Sequence, residues 1–150
     1  SEKRVTETPL IIYQKSLLIS IRVDKRGIDT LGKLLIILFS SPLQYQNTDT
    51  VYEFAKAAVE RGHEVSVFCD ADAVYNLVAS QILLDQMTPA KKLAKLIDMG
   101  VRVLVCQQSA RLRGIEVEKE LIEKVMKSSL GELTQLMEES DRVVSFNVEV

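Results

Sequence analysis

Four short aliphatic runs, at residues 34–39, 65–69, 101–105 and 143–146, alternate with longer segments of helical apolar spacing. This alternation constrains the fold more than any other feature. Runs this short and this apolar are the pattern of strands covered on both faces. Strand and helix in turn imply crossover connections and a parallel sheet between two helical layers. The predicted class is therefore α/β: a three-layer α/β/α sandwich with a mostly parallel sheet of about four to five strands. Helix boundaries are marked in the sequence. Val51, Phe54, Ala55, Ala58 and Val59 follow possible caps at Asn47, Thr48 and Asp49, and Gly62 is a natural stop. Asp70 or Asp72 can cap the next helix. Thr88–Pro89 is a cap followed by proline at the first helical position, and that helix stops at Gly100. Residues 116–127, with Val117, Leu121, Ile122 and Val125 inward, predict a further helix. Another follows Gly131 with Leu133, Leu136 and Met137.

The domain is expected to span 33–150, preceded by an N-terminal extension over 1–32. Residues 17–23 of that extension partly alternate before a turn at Asp24–Gly27. An added edge strand, an arm packed on a partner subunit and a tail all stay open. Residues 1–33 carry seven Lys/Arg against four Asp/Glu, yet the whole chain has a net charge of −2. That balance offers no bulk attraction for nucleic acid or an anionic membrane. No apolar run reaches the length of a membrane span, and two cysteines in 150 residues do not form a disulfide framework. A soluble, cytosolic protein without a signal peptide is the expectation.

Cys106 is the leading candidate for chemistry. It closes the run 101–105 and opens a polar stretch containing Gln107, Gln108, Ser109, Arg111 and Arg113. In a parallel sheet the strand ends that lead into crossovers share one edge, where open α/β sheets bind ligands. That edge collects Ser40 and Ser41, Cys69 and Asp70, and residues 106–113. A thiolate is favoured by nearby cations and helix N-terminal amides, so Arg111 and Arg113 are candidate activating and anion-binding groups. They can equally form surface ion pairs with Glu116 and Glu118. The bland alternative for Cys106 is an inert strand-end core residue; Cys69 has the same two readings.

A Cys106–His63 dyad is excluded by placement. His63, the one histidine, precedes the second run and so falls at the opposite sheet edge, roughly 15 Å or more away. Two separated cysteines and a distant histidine make no zinc site, and the first strand-to-helix loop has no glycine for a phosphate cradle. No cofactor and no metal are expected. If the strand order is flavodoxin-like, with the first strand between the next two, Cys69 and Cys106 lie roughly 10 Å apart, too far for a disulfide.

The stretch from Met99 to Ile115, with its Gly-Val opening, its apolar run, Cys-Gln-x-Ser and a loop ending in Gly-Ile, resembles the DsrE/DsrF-like family. The resemblance covers residues 33–148. It implies a compact α/β/α sandwich, assembly into trimers or hexamers, and sulfur carried as persulfide or thiosulfonate on the cysteine here numbered 106. It further implies a TusA-like carrier or another sulfur-relay protein as partner. Ser109, Arg111 and Arg113 would then hold the anionic adduct, with Cys69 an open second thiol. Two other readings are a non-catalytic assembly subunit, using Ile82, Leu83, Leu84 and the N-terminal arm for contacts, and a small-molecule-binding module at the same sheet edge.

Overall fold

The computed structural model describes residues 32–147, and the backbone of two strands before them, β1 (Pro9–Gln14) and β2 (Leu17–Arg22). The other strands are β3 (Lys33–Leu38), β4 (Glu64–Cys69), β5 (Arg102–Cys106), β6 (Met126–Ser128) and β7 (Arg142–Phe146). One seven-stranded sheet runs in the order β1-β2-β7-β3-β4-β5-β6. β7, β3, β4, β5 and β6 are mutually parallel, while β1 and β2 form an antiparallel pair added to β7. The α/β sandwich with a five-stranded parallel sheet is the expected class.

The strand order is not flavodoxin-like. β4 lies between β3 and β5, so the chain steps in one direction through β3, β4, β5 and β6 before β7 returns to the free side of β3. This reversal has a consequence for the layers. Crossovers are right-handed in nearly all sheets, so connections stepping one way put their helices on one face and the return puts its helix on the other. The two apolar clusters divide accordingly. Helix α1 (Asn47–Glu60), a 3-10 helix (Ala71–Leu77) and α2 (Pro89–Asp98) cover one face, where Val51, Ala55, Val74, Leu77, Leu93 and Leu96 are buried. Helix α5 (Leu130–Glu139) packs on the other through Leu133 and Leu136, against Leu35, Ile37, Phe68, Leu104 and Cys106. Strand side chains alternate between these clusters, which is why the runs had to be apolar throughout.

Local signals hold where the chemistry is strong. Thr88 Oγ1 accepts from Lys91 N at 3.2 Å, with Pro89 opening α2. Gly62 and Gly100 follow their helices at φ 89° and 96°, a region L-residues avoid. Asp70 caps the 3-10 helix by accepting from Ala71 N at 2.7 Å.

Two segments depart from expectation. Residues 107–115 are not a loop throughout, because a short helix α3 (Gln107–Leu112) begins directly after Cys106. The helix predicted over 116–127 is only α4 (Val117–Glu120). After it Leu121 bridges to Val78, Lys124 takes a positive φ of 66° and β6 follows. The apolar spacing there reflects burial of Leu121 against the first cluster rather than a continuous helix. Among the described residues no helix is long and apolar enough to cross a membrane.

Candidate functional site

The strand ends do converge at one edge, and buried polar side chains tie them together. Above β3, Asn76 donates to the carbonyls of Ser40 (2.8 Å) and Ala73 (2.9 Å) and accepts from Thr48 Oγ1 (2.7 Å). Asn47 Nδ2 donates to Ser40 Oγ at 2.5 Å. Asn76 is fully buried, so each of these bonds replaces water that the site cannot admit. Between β4 and β5 the link is Ser109, whose hydroxyl donates to Asp70 Oδ1 at 2.5 Å and accepts from Ala71 N at 3.1 Å.

Cys106 is the last residue of β5 and the residue that starts α3. It is 1% exposed and belongs to the cluster under α5, with Phe68 and Leu104. Its strand is interior, between β4 and β6, with Cys106 level with Ser128. Cys69 ends β4 on the opposite face, in the cluster under α1 and α2. Burial pushes its thiol up to about 12, and the Asp70 carboxylate adds to the rise. Such a shift favours the protonated thiol over the thiolate, the reactive form of cysteine.

The two arginines part company. Arg113 is anchored, its Nε donating to Asp72 Oδ1 at 2.9 Å and its Nη1 to the Ser109 carbonyl at 3.1 Å. Arg111 is exposed and makes no ion pair among the described residues. Neither Glu116 nor Glu118 takes an arginine: Glu116 pairs with Lys119 and Glu118 with Lys127. His63 lies before β4, at the sheet edge away from Cys106, where its Nδ1 accepts from Gly32 N at 3.2 Å.

The sequence offers Asp72 only as a possible helix cap, and Asp70 both as a cap and as a member of this edge; it links neither to Ser109 or Arg113. Their role in holding Ser109 and Arg113 spans 39 and 41 residues of chain. The available signal was position: Asp70 follows Cys69, which is level with Val105, so Asp70 falls beside Cys106 at the strand ends. A separate apolar groove of about 600 Å³ lies between α5 and the β3–β7 pair, lined by Ile37, Phe39, Leu133, Met137 and Val143 among others, and Cys106 is not part of it.

Known proteins share this architecture and sequence. A protein named putative sulfurtransferase DsrE, from Allochromatium vinosum, is 32% identical over 127 residues, covering 76% of this chain and 98% of its own. A sulfurtransferase TusD homolog from Vibrio parahaemolyticus is 35% identical over 116 residues, covering 67% of this chain and 87% of its own. The crystal structure of the ychN protein from E. coli superposes with a TM-score of 0.71 at 24% identity, over 77% of this chain and all of that one, which speaks for the fold. The family model for the DsrE/DsrF-like family matches residues 32–146, and with that span of strands, crossovers and the Cys106 loop inside it, the chain belongs to the DsrE/DsrF-like family.

Proposed function

We propose that the protein is a sulfur carrier that holds sulfane sulfur on Cys106 and passes it to an acceptor thiol. The observation that carries this reading is the position of Cys106, the terminal residue of an interior parallel strand at the edge where open α/β sheets bind ligands. The names of the relatives, sulfurtransferases at 32% and 35% identity, support it. Burial and the Asp70 carboxylate disfavour a thiolate at Cys69, which argues against it as the carrier.

The chemistry balances without a cofactor. The Cys106 thiolate attacks the outer sulfur of a donor persulfide R–S–SH; a new S–S bond forms, the donor S–S bond breaks, and R–S⁻ leaves. An acceptor thiolate then attacks the outer sulfur of Cys106–S–SH and regenerates the Cys106 thiolate. With Cys106 1% exposed, sulfur reaches it only after local opening at the β5–α3 junction. Arg111, exposed and without an ion-pair partner among the described residues, would supply the cation for an anionic donor, while Arg113 and Ser109 hold α3 to the β4 end. The acceptor in this reading is a small TusA-like carrier or another relay protein, and the setting is the cytoplasm.

Mass spectrometry after incubation with polysulfide tests this. The wild type and Cys69→Ala gain a sulfur and Cys106→Ala does not. An adduct that persists in Cys106→Ala and vanishes in Cys69→Ala sinks the assignment. The burial of Cys106 favours a second reading, a non-catalytic assembly subunit. In that case the folded protein is inert to iodoacetamide at Cys106 and gains no sulfur from polysulfide.

A further inference from the structure

The two ends of the sheet are built differently. β6 closes one end with three residues, Met126–Ser128, and its central Lys127 pairs with Glu118. Short length and a central charge keep an edge strand from pairing with another chain. β1 closes the other end with six residues, PLIIYQ, none of them charged. Its proline stands at the first position, where it interrupts the ladder least.

Residues 10–13 of β1 read Leu-Ile-Ile-Tyr, without the apolar–polar alternation of a half-solvated strand, which is the composition of an interior strand. The register also places Ile12, Ile19, Val144 and Ile36 in one row across β1, β2, β7 and β3. Of these four positions, Val144 and Ile36 are buried in the core. Among the described strands β1 is bonded to β2 alone, which leaves the row of N–H and C=O groups facing away from β2 without a ladder.

We propose that β1 pairs with β1 of a second copy of this chain, antiparallel about a two-fold axis, joining two sheets into one. An antiparallel pair of identical strands is self-complementary and closes. Because Pro9–Gln14 carries no charge, no register of that pair sets like charges opposite one another. Pairing β1 to β6 instead would meet Lys127 and, being head-to-tail, would extend without closing. The hairpin precedes the residues shared with the family, 32–146, so this contact belongs to this chain rather than to the common domain.

Sedimentation velocity on the full chain tests it, comparing the wild type with Ile11→Lys at matched concentrations and checking both by far-UV circular dichroism. The expected result is an about two-fold lower mass for Ile11→Lys with an unchanged spectrum, because a lysine is placed in the middle of the pairing strand. Equal masses with equal spectra overturn the proposal, as does a wild-type mass that grows without limit on concentration. If Ile11→Lys loses its spectrum, amide hydrogen exchange of the wild type decides. Protection of β1 that falls on dilution while that of β2 holds supports the pairing, and protection independent of concentration overturns it.

Discussion

Cys69 and Cys106 end neighbouring parallel strands, one residue out of register and on opposite faces of the sheet. Adjacent strands with a one-residue offset bring their Cα atoms to about 6 Å, a separation that disulfides tolerate. Direction forbids the bond instead, since one Cβ points toward α1 and α2 and the other toward α5. Both thiols are therefore expected to be counted as free in denaturant after the folded protein has been treated with a mild oxidant such as diamide. A Cys69–Cys106 bridge found by peptide mapping would mean that this register is wrong.

Cys69 also makes stability depend on pH. Its thiol is raised from 9.0 to about 12 in the folded chain, by burial first and by Asp70 second. Above pH 9 the unfolded chain releases this proton while the folded chain keeps it, so the folded state binds more protons and stability falls as pH rises. The contribution is fully present below pH 9 and is lost through the window from 9.0 to about 12, at up to about 1.4 kcal/mol per pH unit. Urea unfolding of Cys69→Ala across that window should show a flatter decline than the wild type, and parallel curves would refute the assignment.

Asn76 carries the polar link above β3. Replacing it with Ala leaves the Ser40 carbonyl and the Thr48 hydroxyl without their buried partner. Unsatisfied buried groups cost about 1–3 kcal/mol each, so Asn76→Ala should lose about 2–4 kcal/mol in chemical denaturation. Gln86→Ala, at an exposed position, should change stability by less than about 0.5 kcal/mol. Similar losses in the two variants would remove the network from the account.

The start of α5 is held by a capping box. Ser129 Oγ accepts from Glu132 N at 3.2 Å, while Glu132 Oε2 accepts from Ser129 N at 3.0 Å and from Ser128 Oγ at 2.7 Å. Ser129→Ala should cost about 1 kcal/mol. Because the two side chains act as one unit, the double variant with Glu132→Ala should lose less than the sum of the singles. Strict additivity in a double-mutant cycle would argue against the box.

The edge shared by Ser40, Cys69, Asp70 and Cys106 was legible before any coordinates, because it follows from alternation alone. So did the helix start at Thr88–Pro89 and the stops at Gly62 and Gly100, since each rests on a backbone need met by one residue type. β6 was not legible. A three-residue edge strand with one apolar side chain has no period to detect, and Val117, Leu121, Ile122 and Val125 mimic a helix face while serving separate contacts. The anchoring of Arg113 by Asp72 was equally hidden, because a loop arginine offers no sign of which distant carboxylate it will meet.

Sequence alone determined the layered α/β class and put a cysteine at the end of a strand covered on both faces, because periodicity records which residues must be buried and which turns must break. Tertiary structure decided that β4 separates β3 from β5, that the two thiols face opposite layers, and that Ser109 and Arg113 are held by the aspartates after β4. A buried apolar run is compatible with any neighbouring strand. Only the direction of each crossover and the packing of α5 on the return selected the neighbours, and with them the surroundings of Cys106.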